Sequence, residues 1–146
     1  MNKILLPIDN NGLQLCSFEM AKDLASKYGA EIVICNVQDP EIPFTLIEEE
    51  AIKENAKGYD NQVKNVVLDK AREMFEGLDL KITTLTAFGN PAAKVLDIAE
   101  KEECDFIIMC THGMSATKRF LIGSVTNKVV HHSKVPVLVV RSAPAK

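Results

Sequence analysis

The residues of this chain best suited to chemistry lie between Cys110 and Thr126, a candidate phosphate cradle. Gly113 is followed by nine residues, Met114 to Ile122, and then by Gly123-Ser124 at the expected start of a helix. Glycines at that spacing let backbone N–H groups approach a phosphate closely. The hydroxyl of Ser124 and the free amides of a helix N-terminus add donors. One such terminus stabilises an exposed anion by only about 0.3–1 kcal/mol, so several donors must converge. Lys118 and Arg119 lie between the glycines and could add charge. In the plainer reading, Gly113 turns the chain and Ser124 caps the helix, since glycine-rich loops are common punctuation. Spacing alone leaves both readings open.

Other polar residues have ordinary roles to set beside chemical ones. Asp9 either caps the following turn through the amides near Asn11 and Gly12 or faces a ligand. His112 could act as a general base, but no partnered nucleophile accompanies it in sequence, which favours a pocket-lining role. His131 and His132 fall at a helix C-terminus, where imidazolium suits the dipole, and lack neighbouring carboxylates or thiols at metal-ligand spacing. Glu48-Glu49-Glu50 reads as a solvated helix face. The four cysteines, Cys16, Cys35, Cys104 and Cys110, include no C-x-x-C pair, and Cys16 and Cys35 are expected to pack as small hydrophobes. Cys110 would be reactive only beside Lys118 or the helix terminus.

The elements that must position these residues alternate along the chain. Ile4-Leu5-Leu6-Pro7-Ile8 is a short apolar run ending at Asp9-Asn10-Asn11-Gly12. Cys16, Met20, Leu24 and Tyr28 then share a helical stripe, with Ala21 and Ala25 beside it and Gly29 closing the helix. Ile32 to Val37 reads as a second strand. A loop holding Pro40 and Pro43 leads into a charged stretch from about Ile47. Its second half carries the stripe Val63, Val67, Ala71, Met74 and Leu78, with Gly58 marking a bend. Lys81 to Phe88 reads as a third strand. Asn90 as N-cap and Pro91 at the first helical position begin a helix to about Glu103. Phe106 to Met109 is a continuous apolar strand, followed by a helix ending at His132 and a last strand, Val135 to Val140.

This order predicts an α/β fold: one domain over residues 1–146, with a doubly wound five-stranded parallel sheet and helices on both faces. Ligands of such sheets bind outside the carboxyl ends of the strands, where strand order reverses. The exits offer Asp9, Asn36-Val37-Gln38-Asp39, Gly89-Asn90 and Cys110-Thr111-His112-Gly113. Neither a P-loop (G-x-x-x-x-G-K-S/T) nor a G-x-G-x-x-G fingerprint is found. A receiver-type phosphoacceptor is excluded, because the first strand ends in one Asp and the third in Phe88-Gly89.

Composition fits a soluble globule, with 47% hydrophobic and 25% charged residues in 146. A net charge of −3 provides no general attraction to nucleic acid or anionic membrane, so any bound anion needs a local device. The start carries no secretory pattern, and no apolar run approaches the roughly 18 residues that span a bilayer. A cytoplasmic location is expected.

Taken together, several segments resemble the universal stress protein family. They are Ile4-Leu5-Leu6-Pro7-Ile8-Asp9, Gly89-Asn90-Pro91, Met109-Cys110-Thr111-His112-Gly113, the G-x9-G-S spacing, and Val130-His131-His132-Ser133-Lys134-Val135-Pro136-Val137-Leu138-Val139-Val140-Arg141. The resemblance implies the sheet order 3-2-1-4-5 of adenine nucleotide alpha hydrolase-like folds. In one branch of the family it also implies ATP, AMP or ADP held through G-x2-G-x9-G-S/T. On that pattern Asp9 would bond the ribose, and Pro7, Ile8 and Val37 would frame the adenine. Met109 and His112 would line the pocket. Gly113, Gly123, Ser124, Val125 and Thr126 would hold the phosphates, on which Mg²⁺ could ride.

The first glycine of the pattern is Cys110 here, whose side chain would either crowd the sugar–phosphate path or point aside. The resemblance further implies a homodimer joined through Val135-Val140, which would cover an apolar sheet edge, and a role in stress response. The alternative is a dimeric interaction module of the universal stress protein A type that binds no nucleotide. A slow ATPase would need His112 or Asp9 to position water.

Overall fold

The computed structural model describes residues 1–9, 15–39, 59–60, 65–111 and 122–141. In chain order the elements are β1 (Lys3–Ile8), α1 (Leu15–Tyr28), β2 (Glu31–Gln38), β3 (Tyr59–Asp60), α2 (Val66–Glu73), β4 (Ile82–Phe88), α3 (Pro91–Lys101), β5 (Phe106–Cys110), α4 (Ser124–His132) and β6 (Val137–Val140). They build one sheet of order β3-β4-β2-β1-β5-β6. Its five parallel strands, counted along the chain, lie 3-2-1-4-5 as expected. The two-residue β3 is an addition, paired antiparallel with Thr86 and Ala87 of β4.

Alternation along the parallel strands divides the core in two. Leu5, Val33, Cys35, Leu85 and Ile107 face α3 and α4, meeting Val95, Ile98, Ala99 and Val129. Ile4, Leu6, Ile32, Ile34 and Ile108 face α1 and α2, meeting Phe18, Ala21, Ala25, Leu68 and Ala71. Phe18 and Phe75 tie α1 to the chain after α2, with ring centroids 5.7 Å apart. Both faces are covered, which is why the central strands read as unbroken apolar runs.

The structure shifts several expected boundaries. The buried face of α1 is Phe18, Ala21 and Ala25; Met20 and Leu24 flank it and Tyr28 is exposed. The expected charged helix does not run through residues 59–60, which lie in β3. Pairing there covers the outer edge of β4. The helix begins afresh at Val66, where the Asn65 side chain caps it by accepting from the Leu68 amide at 3.1 Å. It ends at Glu73, so Leu78 sits exposed in the following turns while Phe75 takes the buried place. Gly58 and Val63 lie outside the described residues.

Asn90 caps α3 as expected, accepting from the Ala93 amide at 3.1 Å, and α3 closes at Lys101. The last strand is shorter than expected. The Val135 amide donates to the Ser133 hydroxyl instead of a ladder, and Pro136 has no amide to give.

Candidate functional site

The strand order reverses between β1 and β5, and there the sheet opens. Pairing of β1 with β5 is confined to Ile4 with Phe106 and Leu5 with Ile107, whereas β1 follows β2 as far as Ile8 and Asn36. On its other side β5 follows β6 to the pair of Cys110 and Val140. The carboxyl ends of β1 and β5 are each held from outside and unpaired with each other.

Pro7 explains how a central strand allows this. The Asn2 carbonyl accepts from Glu31, toward β2, and the Lys3 carbonyl accepts from Asp105, toward β5. Alternation then turns Pro7 toward β5, so its missing N–H falls where the ladder has already ended.

On the β1 side, Pro7, Ile8 and Asp9 are all half-buried at the crevice. The Asn36 amide group donates to the Ile8 carbonyl at 3.1 Å and fixes the backbone at the exit. Val37, within β2, is half-buried against the α3–α4 core.

On the β5 side, two hydrogen bonds lash α4 to the strand exit and a third ties that exit to β6. The Thr126 hydroxyl donates to the Cys110 carbonyl at 2.9 Å, the Gly123 amide to the Thr111 carbonyl at 2.6 Å, and the Thr111 amide to the Val140 carbonyl at 3.0 Å. Residues 111 and 123, which flank the central part of the G-x9-G-S segment, are thereby pinned together. His112, Gly113, Lys118 and Arg119 lie outside the described residues.

Gly123 is the N-cap of α4, with φ −58°, and no side-chain cap is made. Ser124 therefore occupies the first helical position and does not cap the helix as the plainer reading expected. At φ −58° any residue would fit, so the position does not call on a glycine's conformational freedom. The first intrahelical bond runs from the Asn127 amide to the Gly123 carbonyl at 2.9 Å. The preceding amides, of Ser124, Val125 and Thr126, have no partner the helix itself can supply. Ser124 is exposed and Val125 half-buried, while Thr126 is buried and its hydroxyl is engaged with Cys110. What Thr126 can give a ligand is its amide.

Met109 is seated in the α3–α4 core. Cys110 points to the other face, toward α1, and its Sγ lies 3.0 Å from Sγ of Cys16. Burial, then the bond with Cys16, pushes the Cys110 thiol up to about 12, the opposite of an activated thiolate. Cys35 is the buried hydrophobe expected, but Cys16 is half-buried and spends its sulfur on Cys110.

A neighbouring polar cluster escaped the sequence reading. Asn36, Gln38, Asn65 and Thr86 are all buried beneath α2. Asn65 donates to Asn36 at 2.9 Å and to the Thr86 hydroxyl at 3.1 Å, and Gln38 donates to Asn36. The available signal was Asn36 and Gln38 alternating with Cys35 and Val37 inside an apolar strand. Among the described residues, no group of three or more His, Cys, Asp or Glu could hold a metal. No described helix is long and apolar enough to cross a membrane.

Comparison with known proteins places this geometry in a family. The model of the universal stress protein family matches residues 1–141. The universal stress protein MJ0531 of Methanocaldococcus jannaschii is 32% identical over 139 residues, covering 95% of this chain and 81% of that protein. The solved structure of the hypothetical protein MJ0577 superimposes with a TM-score of 0.72 at 26% identity, covering 99% of this chain and 98% of the other. A universal stress protein in complex with cAMP has a TM-score of 0.68 at 19% identity, covering 97% and 98%. One from Archaeoglobus fulgidus in complex with dAMP has 0.66 at 15%, covering 96% and 98%. The chain belongs to the universal stress protein family.

Proposed function

We propose that this universal stress protein binds an adenine nucleotide in the crevice between β1 and β5 and acts as a regulatory protein, not through turnover. The observation that carries the reading is the parting of β1 and β5 after Leu5 and Ile107, with the uncapped N-terminus of α4 lashed to the edge of the gap. Ligands of open parallel sheets take this position. Adjacent free amides at a helix N-terminus suit a phosphate. The same fold holds cAMP in one relative and dAMP in another; those likenesses are of fold, so the assignment to this chain rests on its own site.

In this reading Pro7, Ile8 and Val37 frame the base and Asp9 takes the ribose. Gly113, Gly123 and the amides of Ser124, Val125 and Thr126 take the phosphates, and Met109, the backbone of Cys110 and His112 border the pocket. ATP is the first candidate, ahead of AMP and ADP, because a row of amides best serves a chain of phosphates. Mg²⁺ would ride on those phosphates. The protein is proposed to be a cytoplasmic homodimer joined by β6, an edge strand of Val137, Leu138, Val139 and Val140, all half-buried.

Thermal unfolding with saturating ATP tests the reading. A ligand at about 100 times its Kd adds about 2.7 kcal/mol, a rise in Tm of roughly 5–10 °C for a chain of this size. The Gly123→Val variant fills the space beside the α4 amides and should lose that rise while melting within about 3 °C of the parent without ligand. Purified protein that carries no adenine nucleotide and melts identically with and without ATP would instead be an interaction module.

A further inference from the structure

The first turn of α1 and the last residue of β5 are 94 positions apart in sequence, yet their sulfurs meet. Sγ of Cys16 and Sγ of Cys110 are 3.0 Å apart, and all four cysteines are free thiols. A disulfide bond is about 2.05 Å long, so closure asks for a sulfur displacement of about 1 Å. The nucleotide reading uses neither Cys16 nor the thiol of Cys110.

We propose that Cys16 and Cys110 are a redox modification site, a dithiol that a hydroperoxide converts to an intramolecular disulfide bracing α1 against the carboxyl end of β5. The two sulfurs differ in access. Cys16 is half-buried and Cys110 is 6% exposed, so the oxidant meets Cys16 first. The Cys16 sulfur attacks the distal peroxide oxygen, the O–O bond breaks, and the departing alkoxide or hydroxide takes the thiol proton. Cys16 is then a sulfenic acid. The neighbouring Cys110 sulfur attacks the Cys16 sulfur and the S–O bond breaks. The leaving hydroxide takes the Cys110 proton and departs as water. Two thiols are oxidised by two electrons, and the peroxide is reduced.

Contact between the sulfurs favours this second step over further oxidation of Cys16, because the resolving thiol is already in place. Two equivalents of an external thiol reverse the link by exchange. The high pKa of Cys110 keeps it a neutral thiol at rest, so the pair stays reduced until Cys16 is oxidised. The link needs no nucleotide, and its test stands apart from that of the nucleotide site.

The test uses the full chain without nucleotide. Trypsin leaves Cys16 in residues 4–22 and Cys110 in residues 102–118, which also hold Cys104, so a Cys104→Ala background makes the assignment unique. One equivalent of hydrogen peroxide, followed by alkylation under denaturing conditions, should link the two peptides. The link should vanish in Cys16→Ser and in Cys110→Ser and be reversed by dithiothreitol. Closing so long a loop should raise Tm by about 5–10 °C in the oxidised parent and not in either variant. The proposal is overturned if oxidation yields a Cys16 sulfinic acid with Cys110 still open to alkylation. A disulfide between two chains, or, in the parent with all its cysteines, one joining Cys35 to Cys104, overturns it equally.

Discussion

At the carboxyl edge of the sheet, β2 and β4 stay paired as far as Gln38 and Phe88, whereas β1 and β5 stop pairing at Leu5 and Ile107. Both pairs are parallel. They differ in where their polar groups are directed. Beside β2 and β4, the side chains of Asn36, Gln38, Asn65 and Thr86 bond to one another under α2. Beside β1 and β5, Pro7 withholds a donor, Gly123 withholds a cap, and the amides that open α4 find no partner within the helix. Groups satisfied internally rigidify a region, and amides that their own helix does not satisfy, beside a crevice, suit a ligand. The comparison predicts that damage to the first region costs stability and that damage to the second costs binding.

The largest effect should come from Asn65→Ala. The substitution removes the cap of α2 and, in a buried site, the donation from Asn65 to the Thr86 hydroxyl and to Asn36, which keeps only its remaining partners such as Gln38. The expected loss is about 3 kcal/mol, read from urea unfolding. A loss under about 1 kcal/mol would show that the cluster is not what holds this half closed.

Gly89→Ala should follow. Gly89 has φ +142°, a conformation L side chains rarely adopt, and an added Cβ would stand 3.0 Å from the Lys94 side chain. Its amide meets the Gln38 carbonyl at 2.9 Å, so the strain would be felt at the end of β2. A loss of about 2 kcal/mol is expected, with no change in affinity for ATP. Weaker nucleotide binding by this variant would mean that the two regions are coupled.

Thr126→Val tests the open side with a substitution of nearly the same shape. It removes the hydroxyl that holds α4 to the Cys110 carbonyl, at a cost of about 1–2 kcal/mol. The variant should also bind ATP several-fold more weakly, because the α4 amides lose their register against β5. Isothermal titration measures this. Unchanged affinity would break the comparison, since the lashing would then serve stability alone.

Much of this division was written in local sequence, and some was not. The apolar runs of β1, β2 and β5 and the Asn90-Pro91 helix start are signals that tertiary packing only reinforces. The exits of β1 and β5 were readable from the strand order and from the Gly123-Ser124 pattern. The parting itself was not, because register is a relation between strands; Pro7 inside an apolar run was its only trace. β3 escaped because two residues form a strand only when an edge such as that of β4 is present to pair with. The contact of Cys16 with Cys110 joins positions 94 apart, beyond the reach of any local pattern. The Asn65 cap was missed because the stripe of Val63, Val67 and Ala71 suggested a helix already under way.

The smallest effect expected concerns the opposite end of β1 and β5, where the same two strands are clamped. The Asp105 carboxylate accepts from the Asn2 amide at 2.8 Å and from the Lys3 amide at 3.1 Å, while its own amide donates to the Lys3 carbonyl at 3.0 Å. Partial burial pushes this carboxyl upward, but the two amides and the charge of the chain N-terminus outweigh it and hold the group below the usual carboxylate range. A folded-state pKa below the unfolded one means that the unfolded chain binds more protons between the two values. The stabilisation is therefore complete above about pH 4, the unfolded carboxylate range, and is lost as pH falls through the folded value. The clamp is only partly buried, so Asp105→Asn should cost only about 1 kcal/mol at pH 7. The gap between parent and variant should close as pH falls from about 4 toward 2 in urea unfolding. If the gap stays constant, the amides of Asn2 and Lys3 are not what the charge stabilises. A gap that persists at pH 7 with ATP affinity unchanged would show that the clamp and the crevice are independent ends of one strand pair.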